Sequence, residues 1–511
     1  MFLSSFYFLS CAPEIPEEAW EFSPIYGIGN SDDDNENGEA DWSENTFSQE
    51  NDRSKLIIPA VFFENKQNKQ NLRLTQNNEN VRLYLDGELI TNSSGDNVFL
   101  TLEEPADLEI EVEFITYNQS HSLTLSLEEE GEVLKSTTIE MRSAPILVGH
   151  HLQPAELLIS MGYRGSGGNQ DFVDAFDNVL SDQFIEYPLS DYNFDVWIQD
   201  EIEFGILKKE DHQTSVIIDS IRDRGLARLA KQELVGTDIG RGVWGSGMAT
   251  SQDSFGNLEA TPPVTVDGTN YPFGRIYYGK FYTEDMAKGM KDMLDEQAIQ
   301  APVELDISFL CVGHVDEFVT FLPDPTARQG FKMFITDTEK GYEFFSSLPS
   351  DYALPLYQQE YGYRTVGDIL NDSSLRSLNE EIQATYIEPN IDRFKNEFGI
   401  SEEEIVRVPM IFEEPQGCYG ATATLLPGVV NMAVFTHEDQ EGADAFIPDP
   451  FFRSNLNSIS DDPYIEMFES LLPDGVTPHW VNDWEWYHVQ LGEVHCGSNI
   501  KRKAVKNWWE N

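Results

Sequence analysis

Basic residues are scarce in this sequence. Its 511 residues carry 33 Lys and Arg against 90 Asp and Glu, a formal net charge of -57. A field of that sign repels nucleic acid and anionic lipid, which argues against both as partners, and it attracts metal ions or arginine- and lysine-rich chains. Cysteine is rare too. Cys11, Cys311, Cys418 and Cys496 form no CxxC pair and have no zinc spacing, so no disulfide scaffold is expected. The His residues make no HExxH pattern. No run reaches the roughly 18 apolar residues that a membrane-spanning helix needs. What is present is globular in character, 40% hydrophobic and 12% aromatic, and long enough for roughly two to four domains.

Residues 1–24 read as a signal-like segment and tether. Met1–Cys11 is short and apolar and ends in Leu-Ser-Cys, like the core and lipidation site of a bacterial lipoprotein signal, although it lacks a basic start. The expectation is an exported protein, periplasmic, cell-surface or secreted. Any membrane attachment would run through a lipid on Cys11, and a cytoplasmic location is the alternative. Residues 25–142 begin with an acidic stretch. Asp33, Asn35, Asn37, Asp41 and Glu44 fall at positions 1, 3, 5, 9 and 12 of an EF-hand loop, with Gly38 at position 6. No flanking helices are evident, so this is either an isolated calcium loop or a disordered acidic linker. From Leu56 to Arg142 short alternating strands predict a small β-sandwich of immunoglobulin-like size; Leu108–Phe114 is the clearest of them.

From 143 to 511 strands and helices interleave without a linker, which predicts an α/β domain built from a repeated strand-and-helix unit. Thr283 is expected to cap a helix that presents Met286, Met290, Met293 and Leu294 on one face. Ser373 to Phe398 reads as a long helix bent near Pro389.

The chemistry gathers around Cys496, which lies between an alternating run and a Gly, beside His495. Thiolates are strong nucleophiles, but a single Cys is more often a small buried hydrophobe. Three other stretches favour the nucleophile. If Trp197–Gly205 is extended, Gln199, Glu201 and Glu203 share one face and Asp200 the other, and three oxygen-bearing side chains make a hard-cation site. In Phe309–Phe318, His314 and Asp316 stand two apart after a Gly, a candidate acid–base pair. Around Ser215–Gly225, Asp219, Ser220 and Asp223 offer clustered oxygens, and Arg224 could clamp a carbonyl or carboxylate. A Cys, a His and two Asp suit a guanidinium. The carboxylates hold the planar cation, the thiolate attacks its carbon, and the His protonates departing ammonia and then activates water.

In order and nearly letter for letter, Trp197–Gly205, Asp219–Gly225, Asp253–Glu259, Gly313–Phe318 and Glu493–Asn499 resemble the motifs of the calcium-dependent protein-arginine deiminases. Asn507–Trp509 resembles the end of that family as well. The resemblance implies a pentein catalytic domain, a five-fold propeller of ββαβ units, behind an immunoglobulin-like β-sandwich. It implies a hydrolase acting on linear amidines, which converts peptidyl-arginine in a protein or peptide to peptidyl-citrulline and ammonia through a covalent Cys thiouronium intermediate. Carried over by motif, Cys496 is the nucleophile and His314 the general acid/base. Asp200 and Asp316 grip the guanidinium, and Trp197 walls the channel. Several Ca2+ ions are implied. One would be held by Gln199, Glu203, Glu259 and the carbonyls of Phe255 and Leu258, another by Glu201, Asp219, Ser220 and Asp223. Arg224 would touch substrate backbone.

Gln490 stands where many members have a second substrate-binding Arg, which leaves open a pentein deiminase acting on free arginine or agmatine. A third reading is a non-catalytic, calcium-dependent surface binding protein. The length and the signal-like start suggest a bacterial-type member.

Overall fold

The computed structural model describes residues 21–43, 52–63, 70–77, 79–91, 97–102, 106–282, 284–438 and 442–510. Cys11, Glu44 and Thr283 lie outside the described residues. The chain divides into two compact units. One runs to Ser31 and resumes over Glu39–Ala144; the other takes Asp32–Gly38 and Pro145–Asn511.

The smaller unit is two β-sheets around one apolar core. Ile25–Gly27, Glu132–Ser143, Ser120–Glu129, Gln70–Gln76 and Val98–Leu102 lie side by side in the first sheet. Ser54–Ile58, Leu108–Phe114, Val81–Leu85 and Glu88–Leu89 form the second. Period-two alternation sends Leu72, Leu74, Leu123 and Leu125 from one sheet, and Leu56, Ile58, Ile110 and Val112 from the other, into that core. Glu113 departs from the pattern. It is buried, and it is satisfied by Asn30 Nδ2 at 2.6 Å and the Tyr84 hydroxyl at 2.7 Å.

The larger unit repeats one topology five times. In each repeat two strands pair antiparallel and a third returns parallel to the second. The sets are Ile202–Lys209, His212–Asp219 and Ile239–Gly242; Leu258–Ala260, Ile276–Lys280 and Val303–Asp306; Val319–Pro323, Phe331–Asp337 and Ile405–Pro409; Ala433–Thr436, Ala443–Pro448 and Val476–Val481. The fifth set is made across the chain: Ser498–Arg502 pairs antiparallel with Ala155–Gly162, which pairs parallel with Phe184–Pro188. The last strand thus closes on the beginning of the unit.

Several local expectations change. The helix expected after Thr283 runs over Lys288–Gln297, so Met286 precedes it, although Met286 is buried like Met290, Met293 and Leu294. Ser373–Ile382 and Glu388–Phe398 are helical, joined by a wider π turn at Gln383–Ile387. Pro389 lacks the N–H and the room that a regular turn requires, and the π turn just before it absorbs the mismatch. Cys311 and Cys418 form a disulfide across 107 residues, which no local spacing could reveal. Among the described residues no helix is long and apolar enough to cross a membrane.

Candidate active site

The five repeats place five equivalent turns, each just ahead of the first strand of its sheet. These are Trp197–Glu201 before Ile202, Ser251–Asn257 before Leu258, His314–Glu317 before Val319, Gly428–Asn431 before Ala433, and Glu493–Gly497 before Ser498. Every candidate catalytic residue sits in one of them. Cys496 is buried and is the free cysteine among the described residues. Its Sγ lies 3.6 Å from Asp316 Oδ2, and Asn431 Nδ2 donates to it at 3.3 Å. Burial, Asp316 and Asp200 push the thiol well above its usual range. His314 is buried, and its Nε2 donates to the Ser251 carbonyl at 3.0 Å. A carbonyl can only accept, so Nδ1 carries the lone pair. That nitrogen has no hydrogen-bond partner among the described residues and lies 3.6 Å from Asp200 Oδ1. A Cβ at Gly256 would stand 2.8 Å from His314 Nδ1 and 3.0 Å from Asp316 Oδ2, so the backbone passes where no side chain fits.

A cavity of about 230 Å³ opens above these groups, lined among others by Trp197, Asp200, Arg224, His314, Gln490 and Cys496. The Trp197 ring packs edge-on against Tyr487, with centroids 5.5 Å apart. Arg224 does more than line the cavity. Its Nη2 binds Asp200 Oδ2 at 2.9 Å, and Arg222 approaches the same oxygen at 3.4 Å. Gln490 lies at the rim, with its amide donating to the Trp486 carbonyl at 2.7 Å.

The cation sites differ in detail from the alternation argument. Ile198–Glu201 is a helical turn and the strand begins only at Ile202, so Gln199, Glu201 and Glu203 do not share a face. A helical turn rotates successive side chains by about 100° instead of 180°. Gln199 instead meets Glu203 at 2.7 Å and the Phe255 carbonyl at 3.2 Å, while Glu201 turns towards Asp219. Leu258 opens the short strand that carries Glu259. Burial, with Glu203 and Asp316 nearby, raises Glu259 to about 8, and burial raises Glu203 to about 7. Burial and Asp219 raise Glu201 to about 7, and neither of its carboxylate oxygens has a hydrogen-bond partner among the described residues.

Buried acids in this state fit a hard cation, which would let them ionise and would supply the missing partner. In the second set Glu201 and Asp219 face each other; burial raises Asp219, and Asp223 is near enough to raise it as well. Arg241 Nε donates to Asp219 at 2.7 Å. The Ser220 hydroxyl donates to the Asp253 carbonyl at 2.8 Å, and Asp223 is half exposed and held by Lys231. Asp223 thus lies at the exposed edge of the set, beside Asp219.

In the acidic loop, Asp33 accepts the backbone N–H of Asn37 at 3.0 Å and of Gly38 at 2.6 Å, and Gly38 takes φ 92°. Asn35 Oδ1 also accepts from Asn37 N, at 3.1 Å. Asp41 is buried in the short turn Asp41–Ser43, and Glu44 lies outside the described residues.

Two residues at the centre escaped the sequence reading. His495 donates to Asp316 Oδ2 at 2.9 Å; burial opposes its charge, but Glu259 and Asp316 raise it to about 9. Asn431 occupies the fourth turn. Its side-chain oxygen accepts the backbone N–H of His495 at 3.0 Å and of Cys496 at 3.2 Å, so one amide holds both the sulfur and its backbone. Its equivalent place in the repeat was the signal available. Asn431→Ala should slow alkylation of Cys496 by iodoacetamide at least roughly tenfold, because a hydrogen bond to a charged group is worth about 1.5–3 kcal/mol. Quantitative mass spectrometry of the Cys496 peptide measures this, and an unchanged rate would refute the role.

A family described as "Protein-arginine deiminase (PAD)" matches residues 133–510. "Protein-arginine deiminase type-1" of Mus musculus is 33% identical over 403 residues, 73% of this chain and 57% of that protein. The Homo sapiens type-1 protein is 32% identical over 445 residues, 80% of this chain and 63% of that protein. "Protein-arginine deiminase type-4" of Rattus norvegicus is 31% identical over 390 residues, 73% of this chain and 56% of that protein. The chain thus spans roughly three-fifths of the length of these relatives.

Proposed function

The chain belongs to the protein-arginine deiminase family, and on that premise we propose that it hydrolyses peptidyl-arginine to peptidyl-citrulline and ammonia in a calcium-dependent manner. The observation that carries this reading is the meeting of Cys496, His314 and Asp200 at one cavity, with Asp316 3.6 Å from the Cys496 sulfur. The substrate guanidinium enters past Trp197 and lies between the two carboxylates, which bind a planar cation in bidentate fashion. Cys496 gives its thiol proton to His314 Nδ1 as Sγ bonds to the guanidinium carbon, and that proton passes from Nδ1 to the departing ammonia. The resulting thiouronium is then attacked by water, which gives its proton to the same nitrogen. The carbon–sulfur bond breaks, and the new oxygen becomes the urea carbonyl of citrulline.

Calcium, when bound, supplies the charge that lets Glu201, Glu203 and Glu259 stay ionised. Gln199 and Glu201 flank Asp200 in one turn, so the groups that would hold the ion also set the position of the guanidinium clamp. The test is citrulline formation on an arginyl peptide in millimolar calcium and in chelator. No product in calcium, or equal product in chelator, would sink the reading. Glu201→Gln should raise the calcium needed for half-maximal activity by roughly tenfold or more, since it removes a charged ligand. The same change should raise the melting temperature measured in chelator, because a buried carboxylate without a partner is costly. A lower melting temperature in chelator would contradict this account.

The five-fold repetition of one sheet topology, closed by Ser498–Arg502, supports a pentein fold, and the two-sheet unit supports an immunoglobulin-like sandwich. The Cys311–Cys418 disulfide supports an exported protein, since such bonds persist in oxidising compartments. Gln490 favours a second reading, free arginine as substrate, because the rim there offers an uncharged amide turned back on Trp486. A higher kcat/KM for the free amino acid than for the peptide would select it.

A further inference from the structure

Beneath the catalytic groups, His151, Glu259 and His495 bring one nitrogen or oxygen each within 4.8 Å of one another. His151 and Glu259 are buried and His495 nearly so. His151 Nε2 lies 3.8 Å from one Glu259 oxygen, and His495 Nε2 lies 3.5 Å from the other. Both separations are too long for good hydrogen bonds. The shorter matches, and the longer somewhat exceeds, the roughly 3.3–3.5 Å between donors that share a tetrahedral ion at 2.0–2.1 Å, with one Glu259 oxygen nearest each ring.

The opposite ring nitrogens are fixed. His151 Nδ1 faces the Phe321 carbonyl at 3.2 Å and the Thr320 hydroxyl at 3.1 Å. His495 Nδ1 faces Asp316 Oδ2 at 2.9 Å. A carbonyl and a carboxylate only accept, so both Nδ1 atoms carry hydrogen and both Nε2 atoms face Glu259, where an ion would displace any proton held there. Ligand imidazoles are oriented in this way by outer partners in metal centres. Arg502, the neighbouring cation, directs its N–H groups at the carbonyls of His151, Gln153 and Val434.

We propose that His151, Glu259 and His495 form a binding site for a borderline divalent transition metal, with Zn2+ as its best-matched occupant. Two imidazoles and one carboxylate suit zinc, whereas calcium takes oxygen donors. The competing occupant of the same space is a proton on His495 Nε2, which makes that ring an imidazolium between Glu259 and Asp316. His151 separates the two readings, because the imidazolium does not need it. An ion here would engage Glu259, the carboxylate that calcium would also use, so the two ions would compete for it, and it would anchor His495 and through His495 reach Asp316. This consequence, unlike the site itself, rests on the arginine-hydrolysis reading.

The experiment titrates Zn2+ into the full chain without calcium, by isothermal calorimetry, and locates the ion by anomalous diffraction at the zinc edge. One Zn2+ bound between the three residues is expected. His151→Ala should weaken it roughly 100-fold or more, since loss even of an outer partner costs 10–100-fold. His151→Gln, which keeps the bulk of the side chain, should weaken it likewise. Melting curves of the metal-free variants check that each is folded. Absence of an anomalous peak at the three residues, or an unchanged affinity in both variants, overturns the proposal. Neither readout depends on whether the protein acts on arginine.

Discussion

Cys496→Ala should lower turnover by roughly 10⁴-fold or more, the scale seen when a covalent nucleophile is removed from an enzyme. The expectation follows from how little else at the site could replace it. Among the described residues the sulfur is the one thiol lining the cavity, and the polar groups around it are carboxylates, guanidinium groups, amides and an imidazole. The fold should survive the change. Cys496 takes no part in the Cys311–Cys418 disulfide, and its backbone N–H bond to Asn431 does not involve the side chain. The measurement is citrulline release per enzyme, with a melting curve beside it. Residual activity within tenfold of wild type would remove Cys496 from the nucleophile role. Iodoacetamide should label the wild-type thiol slowly at neutral pH, because burial and the nearby acids hold it protonated.

Asp316→Asn should separate two quantities that usually move together. Turnover should fall by roughly 10²–10³-fold, the scale of about 3–5 kcal/mol for removing one partner of a buried charge pair. Alkylation of Cys496 should become faster at neutral pH. The sign follows from charge. After burial, Asp316 is the largest influence holding the thiol pKa up, so neutralising it lowers that pKa and increases the thiolate fraction. The asparagine keeps the shape of the carboxyl but cannot hold the guanidinium cation, and it leaves His495 without its 2.9 Å anionic partner. Turnover and alkylation falling together would mean that Asp316 supports the thiol instead of binding the substrate.

Much of this was legible in the sequence because it is local. The alternation in Leu108–Phe114 gives a strand whose Ile110 and Val112 enter the core. The chemistry-bearing stretches fall in turns, and a turn is readable when its motif is short and contiguous, as in Gly313–Phe318. Trp197–Gly205 misled because alternating polar and apolar residues fit one helical turn followed by a strand as well as they fit a strand alone. Asp223 stays near Asp219 as its place in the sequence suggests, while the chain turns there with φ 48° and its exposed side chain pairs with Lys231. The remaining misses are long-range. Asn431 reaches Cys496 across 65 residues, and Cys311 meets Cys418 across 107. Such pairings are set by the topology of the repeats, and no window of sequence contains them.

The cross-chain fifth sheet also has a consequence in time. Gly497, the residue after Cys496, accepts a hydrogen bond from Ser160 across a separation of 337 residues, and the strand that follows it lies along Ala155–Gly162. Contacts of such separation form late, after the loop-closure cost has been met. A chain still being synthesised carries Asp200, His314 and Asp316 long before Cys496 and the strand that follows it. The sulfur therefore reaches its place beside Asp316 only when the strand that follows it has paired with Ala155–Gly162, a late event in folding.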